Sequence, residues 1–396
     1  MVGLSLAIML AEHGVAERIL VLDRQPLNST EDAHFLPSFD DRVTALSPSS
    51  VDIFREFACW PRVQRELQSI EGVEVSDRGR PGFVRFGRTE NGAEAVGYTI
   101  ENRRLGEQLL RHAHTLEPVH LLGSMNVAGI TMQAKGARLA LDTESGPRQL
   151  SAGLVVLAEG ANPSLCRALG IVTHAHDYAQ RALIANLSLS CAHEGIAYER
   201  FTEQGPLALL PMTSLDGVPR AALVWTLAAT QAEHYEHCSP SAFLSALEAL
   251  LPRTLLGRCR GVGQRSSYPI LRHTAAEQVR SSLVLVGNSA HTLHPVAGQG
   301  FNLALRDCAE LLAVLSEAKK KGEALGHLSV LLRYARRREG DQWLTSELTH
   351  RFVDLFVSDN AANRAMRDLA LLALQGVSPI KHRFFAQMMG RPRSSP

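Results

Sequence analysis

Gly287-Asn-Ser-Ala-His-Thr-Leu-His-Pro-Val-Ala-Gly-Gln-Gly-Phe-Asn302 decides the fold of this chain. It follows the apolar run 282–287, which reads as a buried strand, and it opens the helical pattern of 300–318. Gly298 and Gly300 let a ligand approach the backbone closely. The helix start offers unpaired N–H groups and the positive end of a dipole. Such a place suits a phosphate or the electron-rich edge of a ring. Asn288, at the strand end, can donate to and accept from a hydroxylated chain, and Pro295 stiffens the loop. Gln299, Phe301 and Asn302 complete the candidate binding loop. The rival reading is a glycine-rich turn with no ligand, against which the length and detail of the string speak. His291 and His294 fall inside the loop. With Pro295 they are the candidates for contact with substrate or ring, although one of the histidines can equally brace the turn. No residue is assigned as a base.

Four further segments work outward from this one. Leu157-Ala-Glu-Gly-Ala-Asn-Pro-Ser-Leu-Cys-Arg167 closes another buried strand pattern, 154–158, and makes Glu159 and Gly160 candidates; a purely structural strand–turn–helix corner is the alternative. Arg18-Ile-Leu-Val-Leu-Asp23 is a short apolar run ending in an acid, as in a parallel strand buried on both faces. An apolar helix pattern over 3–13, capped by Gly14, precedes it. That helix–strand pair is the second half of a βαβ nucleotide unit, in which Asp23 accepts hydrogen bonds from a ribose. Arg42, in 40–46, and Arg103, in 101–105, are basic candidates that singly read as surface ion-pair residues.

With these strings quoted, the chain resembles the class A FAD-dependent aromatic monooxygenases. The 287–302 string is similar to their GDAAHxxxPxxGQGxN motif, with Asn288 where Asp is usual, a variant familiar in the ubiquinone-pathway hydroxylases. The resemblance implies that Asn288 contacts the FAD ribityl chain and that the following loop faces the isoalloxazine. Residues 157–167 resemble the ADGxxSxxR motif near the FAD pyrophosphate and the reductant's path. Gly160, Ser164 and Arg167 match it, and Glu159 replaces Asp. Arg42 and Arg103 match family arginines near the cofactor. Segments 75–84, 197–212 and 265–269 look most like the branch that acts on 2-polyprenyl-6-methoxyphenol. The likeness runs from Gly3 to about Arg338 and is loose over the last sixty residues. The family opens with strand–GxGxxG–helix. Only Gly3 can be the last glycine of that fingerprint, so Met1 is expected to be an internal methionine of a GGGMVG string.

The fold so implied is α/β: a Rossmann-like FAD-binding domain interrupted by a β-sheet substrate domain, with a helical C-terminus, like p-hydroxybenzoate hydroxylase. The expected divisions are FAD domain over 1–70, a substrate-domain β-ribbon over 71–100, FAD domain over 101–176, substrate sheet over 177–269, FAD domain over 270–340 and C-terminal helices over 341–396. The implied chemistry uses FAD, NADPH or NADH as reductant and O2 as co-substrate. It hydroxylates a polyprenylated phenol through a flavin C4a-hydroperoxide.

Bulk properties bound the rest. A net charge of +1 argues against a generalised nucleic-acid surface. Six cysteines without CxxC pairing read as reduced thiols in a cytoplasmic protein. MVGLSLAIML lacks a basic n-region and reads as a buried helix, and no apolar run reaches the ~18–20 residues of a membrane span. A polyprenyl phenol partitions into bilayers, so peripheral contact with the inner membrane, or with a ubiquinone-biosynthesis complex, is expected. The basic and apolar stretch 381–391 is the candidate surface for it, against a plain capping helix. No metal is expected: His234 and His237 lack further ligands. The rival functions are another flavin oxidoreductase and a non-catalytic member of the biosynthetic assembly. A flavin halogenase is disfavoured because Trp60, Trp225 and Trp343 form no WxWxIP pair.

Overall fold

The structure, a computed structural model, describes residues 1–27, 42–77, 83–88, 94–143, 146–160, 164–251, 258–295 and 298–357. In chain order the first part comprises α1 (Val2–Glu12), β1 (Ile19–Leu22), β2 (Val43–Leu46), α2 (Pro48–Arg55), α3 (Trp60–Arg65), β3 (Gln68–Ile70), β4 (Gly72–Asp77), β5 (Phe83–Gly87), β6 (Gly97–Glu101) and α4 (Asn102–Ala113). Then follow β7 (Val119–Leu122), β8 (Asn126–Gln133), β9 (Gly136–Thr143), β10 (Gly146–Ala152), β11 (Val155–Leu157), α5 (Ser164–Ala168), β12 (Thr173–Leu189), β13 (Ile196–Thr202), β14 (Gly205–Leu215) and β15 (Val218–Ala228). The last part comprises α6 (Ala229–His237), α7 (Pro240–Glu248), β16 (Cys259–Ala275), β17 (Val279–Arg280), β18 (Leu283–Leu285), β19 (His291–Thr292), α8 (Gln299–Lys320) and α9 (Leu328–Val357).

The nucleotide half is built on short parallel pairs. β1 runs parallel to β7, and β11 parallel to β18 with β17 at its edge. Their sequences, Ile-Leu-Val-Leu, Val-Val-Leu and Leu-Val-Leu, are unbroken apolar runs, as strands covered on both faces require. α1 is apolar all round because α4 and α8 enclose it; Leu6, Ile8 and Met9 are buried with Leu105, Leu109 and Leu311 in one core. Gly14 caps α1 in the left-handed conformation, φ 59°, as the sequence suggests. β8, β9 and β10 form a separate antiparallel sheet against β11.

The second half is an eight-stranded sheet in the order β19-β16-β12-β15-β14-β13-β4-β5, antiparallel except for the parallel β13–β4 pair. One face buries Leu183, Leu207, Leu223 and Trp225 under α6 and α7, with Phe243 and Leu247. The other face looks into the space between the halves. β12 and β16 pair from Thr173↔Ala275 to Leu189↔Cys259 across a bulge near Asp177–Arg181, so they reach beyond the expected 177–269. Through His273↔Thr292 the sheet is joined to the 287–302 loop itself.

Two local expectations differ from what is observed. β6 does not extend the β4–β5 ribbon; it pairs between β2 and β3 in a three-stranded sheet. The helix expected near 240–252 is preceded by a second one, α6, whose Tyr235 stacks on Trp225 at 4.7 Å. The segment 381–391 lies outside the described residues. Among the described residues no helix is long and apolar enough to cross a membrane.

Candidate functional site

The site grows from three strand ends. At the end of β18, Val286 N–H donates to Leu157 O at 3.0 Å, which carries the β11–β18 pairing one residue further. The chain then makes a single 3-10 turn, Gly287–Ser289, and Glu159 N–H donates to Ser289 Oγ at 2.9 Å. The Glu159–Gly160 and Asn288–Asn302 loops are therefore in direct contact. The Glu159 carboxylate accepts from Leu165 N–H and Ser164 Oγ, each at 3.2 Å, and so caps α5. At the end of β1, Asp23 Oδ1 accepts from Gln25 N–H at 2.9 Å, and Arg24 Nη2 donates to Ser164 Oγ at 3.2 Å. That bond ties the third strand end to the second loop.

Local backbone chemistry shapes the remainder. Gly3 brings α1 close to the end of β11; a Cβ there would lie 3.2 Å from Ala158 Cβ. Gly298 takes a left-handed conformation, φ 59°, at the start of α8, and its missing Cβ leaves room for Ala45, whose Cβ would lie 3.2 Å away. Asn302, 2% exposed, accepts from Ser47 N–H and donates to Ala45 O and Gly298 O, each at 2.8 Å. Its amide thus pins the start of α8 to the end of β2. Phe301 stacks on Phe54 with ring centroids 6.4 Å apart.

These loops open onto one cavity of about 1710 Å³ between the two halves. That exceeds the ~300–1,000 Å³ of a single small-molecule pocket, as expected of a cleft open between two halves. Every residue expected to hold the cofactor lines it except Arg103. The facing edges of β1 and β11 border the same cavity, and among the described residues neither carries a strand on that side.

FAD fits what is present. Asp23 offers a carboxylate for a ribose diol, and the start of α8 offers N–H groups for an anion. At Gly160, φ 82°, and at Gly300 a Cβ would meet nothing within 4 Å, so a ligand can come close to both backbones. Asn288 would take the hydroxylated chain, and the loop from Pro295 to Gly300 would face the ring.

The two loop histidines separate. His294 is on the cavity wall, 2% exposed, edge-on to Tyr178 at 5.1 Å. His291 is off the wall: its Nε2 lies 2.6 Å from Asp307 Oδ2 in α8. Asp307 also accepts from Arg338 Nε at 2.5 Å and Gln342 Nε2 at 2.9 Å in α9. Burial alone would raise the Asp307 carboxyl, but His291, Arg338 and Gln342 hold it below the usual carboxylate range. His291 therefore braces the loop. Asp307, in the apolar stretch Leu-Ala-Leu-Arg-Asp-Cys-Ala, was missed by sequence reasoning; a lone carboxylate in such a helix is itself a signal of a buried pair. Among the described residues no cluster of three or more His, Cys, Asp or Glu side chains is arranged for a metal.

Burial pushes the His294 imidazole down to about 4, so it is neutral in the fold. Unfolded, it titrates near ~6.5. The stability that this neutral ring permits is fully present above that value. It is lost as pH falls from ~6.5 through the folded value, at about 1.4 kcal/mol per pH unit. Thermal melts of the protein and of His294→Gln should therefore converge as pH falls from about 7 to about 5. A constant gap between the two would show that His294 does not titrate across unfolding.

Comparisons with known proteins bear on this cleft. A family model described as an FAD binding domain matches residues 1–346. Ubiquinone hydroxylase UbiL of Rhodospirillum rubrum is 31% identical, over 100% of this chain and 89% of its own length. The 3-demethoxyubiquinol 3-hydroxylase of Escherichia coli (strain K12) is 29% identical, over 98% of this chain and 96% of its own. Among solved structures, p-nitrophenol 4-monooxygenase PnpA from Pseudomonas putida DLL-E4 matches with a TM-score of 0.78. That match is 17% identical and covers 99% of this chain and 96% of the other, a likeness of fold.

Proposed function

The chain belongs to the FAD binding domain family, and from that premise we propose that it hydroxylates a polyprenylated phenol, 2-polyprenyl-6-methoxyphenol, in ubiquinone biosynthesis. It is an FAD-dependent aromatic hydroxylase, taking electrons from NADH or NADPH and oxygen from O2. Reduced FAD supplies the oxygen activation when bound. The chain's own residues do the rest.

One observation carries this reading. The Glu159–Gly160 and Asn288–Asn302 loops meet at a hydrogen bond and share a cavity whose far wall is a largely aliphatic sheet face. Asp23 and Asn288 orient the sugar and the hydroxylated chain, and the start of α8 holds negative charge. The aliphatic wall, with Val73, Val75, Leu210 and Val224, excludes water and takes an apolar ring and tail. A neutral His294 adds no charge to that space. The substrate's tail favours a bilayer, so we place the enzyme at the inner-membrane surface or beside partner proteins of the same pathway, without a spanning helix among its described residues.

Deletion of the gene followed by quinone extraction tests the substrate. Build-up of a prenylated methoxyphenol is the expected result, and unchanged quinones would move the substrate elsewhere. Purified protein incubated with FAD should retain it and show the visible absorption of bound oxidised flavin. Protein that retains none would favour a non-catalytic role in the assembly.

A further inference from the structure

The sheet wall of the cleft contains a row of cross-strand partners. Ile184 pairs with Val224, Val224 with Ala208, Ala208 with Glu199, and Glu199 with Val75. These five residues come from β12, β15, β14, β13 and β4, and all line the cavity. In the neighbouring rows Leu210 pairs with Ala222, Ala197 with Val73, and Val73 with Phe86. Alternation along β13 puts Ala197 and Glu199 on the cleft face, while Tyr198 packs with the core on the opposite face. One carboxyl is thus set among aliphatic groups. Among the described residues no side chain or backbone group is hydrogen-bonded or ion-paired to it. Among the described residues the other ionisable side chains that line the cavity are Tyr198, the neighbour of Glu199 in β13, and Arg18, Asp23, Arg24, Arg42, Glu159 and His294 of the nucleotide half. Glu199 is half-buried, and a carboxyl on an aliphatic wall is poorly solvated, so its place there suits a polar group on the ligand.

We propose, resting on the phenol-hydroxylase reading above, that Glu199 is a catalytic residue: it receives the hydroxyl of the substrate's aromatic ring and takes the phenolic proton as the ring is hydroxylated. The phenolic O–H bond breaks and an O–H bond to a Glu199 carboxyl oxygen forms. The electron pair stays on the phenolic oxygen, where it raises the nucleophilicity of the ring carbon that gains oxygen. The proton leaves to solvent with the product. Burial supports this role, because it pushes the Glu199 carboxyl up to about 8. That is closer to a phenol, ~10, than an exposed glutamate is, and a base so matched moves protons near neutral pH. The flanking strands present Val73 and Val75 from β4 and Ala208 and Leu210 from β14 on this face, and Asp77 follows on β4 as the register partner of Phe201. The same row explains selectivity: the ring's hydroxyl meets the one polar group, and the rest of the molecule meets aliphatic surface.

The test uses FAD-loaded protein, a short-chain prenylated methoxyphenol and its O-methyl ether, with binding followed by the change in flavin absorbance. Wild type is expected to prefer the phenol by ~10–100-fold. Glu199→Gln should retain its flavin, lose that preference and lose ~10²–10⁴-fold in turnover. Glu199→Asp should keep part of the preference, because it keeps the carboxyl. Wild-type turnover should rise through about pH 8, and that rise should be absent from Glu199→Gln. A Glu199→Gln protein that keeps flavin, phenol preference and pH profile overturns the assignment of Glu199 alone. A wild type that binds flavin but neither binds nor hydroxylates any phenol overturns the functional reading, and this proposal with it.

Discussion

Asp307→Ala is expected to lower the melting temperature by about 4–6 °C and to weaken retention of FAD. Asp307 is fully enclosed and holds three partners at once: His291 from the cofactor loop, and Arg338 and Gln342 from α9. Truncation leaves the Arg338 guanidinium, 7% exposed, with only Asp341 for company and leaves His291 Nε2 facing a void. Removing one member of a buried pair costs about 3–5 kcal/mol, because the other charge stays buried. The loss does not stay local. His291 sits between the Asn288 strand end and the Pro295 loop, so its release loosens the wall that faces the cofactor. Thermal melts and the flavin-to-protein absorbance ratio of purified protein read the two effects separately. A variant that melts within a degree or two of wild type and keeps its flavin would show that α9 does not brace the loop. Asp307→Asn, which keeps the shape and one acceptor, should fall between the two.

What could be read from the residues, and what could not, follows from how local each cause is. Strand ends at Asp23, Ala158 and Val286 are legible because each unbroken apolar run and the acid or glycine that closes it are consecutive in sequence. The start of α8 is legible for the same reason: the left-handed Gly298 and the free N–H groups belong to adjacent residues. Which side of that helix Asn302 faces is not a local property. It belongs to the family's cofactor string and lines the cavity, yet its amide is engaged by Ala45, Ser47 and Gly298. Glu199 is harder still, since its setting is made by Ile184, Val224, Ala208 and Val75 from four other strands. Their shared row exists only once the registers are fixed. The pairing of β6 with β2 and β3 has the same origin: alternation marks a strand but does not choose its neighbour. Asp307 stood midway. The sequence shows a carboxylate in an apolar helix, and only the fold shows the arginine that answers it.

Asn302→Asp should destabilise the protein more than its near-identical shape suggests, by about 2–6 kcal/mol near neutral pH. The native amide donates both N–H bonds, to Ala45 O and Gly298 O, and accepts from Ser47 N–H. An aspartate keeps the acceptor but loses both donors, and it turns a carboxylate oxygen toward two carbonyl oxygens in a site that is 2% exposed in the native protein. Each buried group left unpaired costs about 1–3 kcal/mol, and the repulsion adds to it. The sign of the pH dependence follows. Burial and repulsion raise the carboxyl's folded value above its unfolded value of ~3.9, so the variant's stability is greatest at low pH and falls as pH rises. The melting gap to wild type should therefore widen from about pH 5 to about pH 8. The same substitution frees the left-handed turn at Gly298 from β2, so FAD affinity should fall by at least ~10-fold even where the protein remains folded. Melts that track wild type across that pH range would mean that the amide is not the pin. A variant that loses stability but binds FAD unchanged would mean that the start of α8 is held by other contacts.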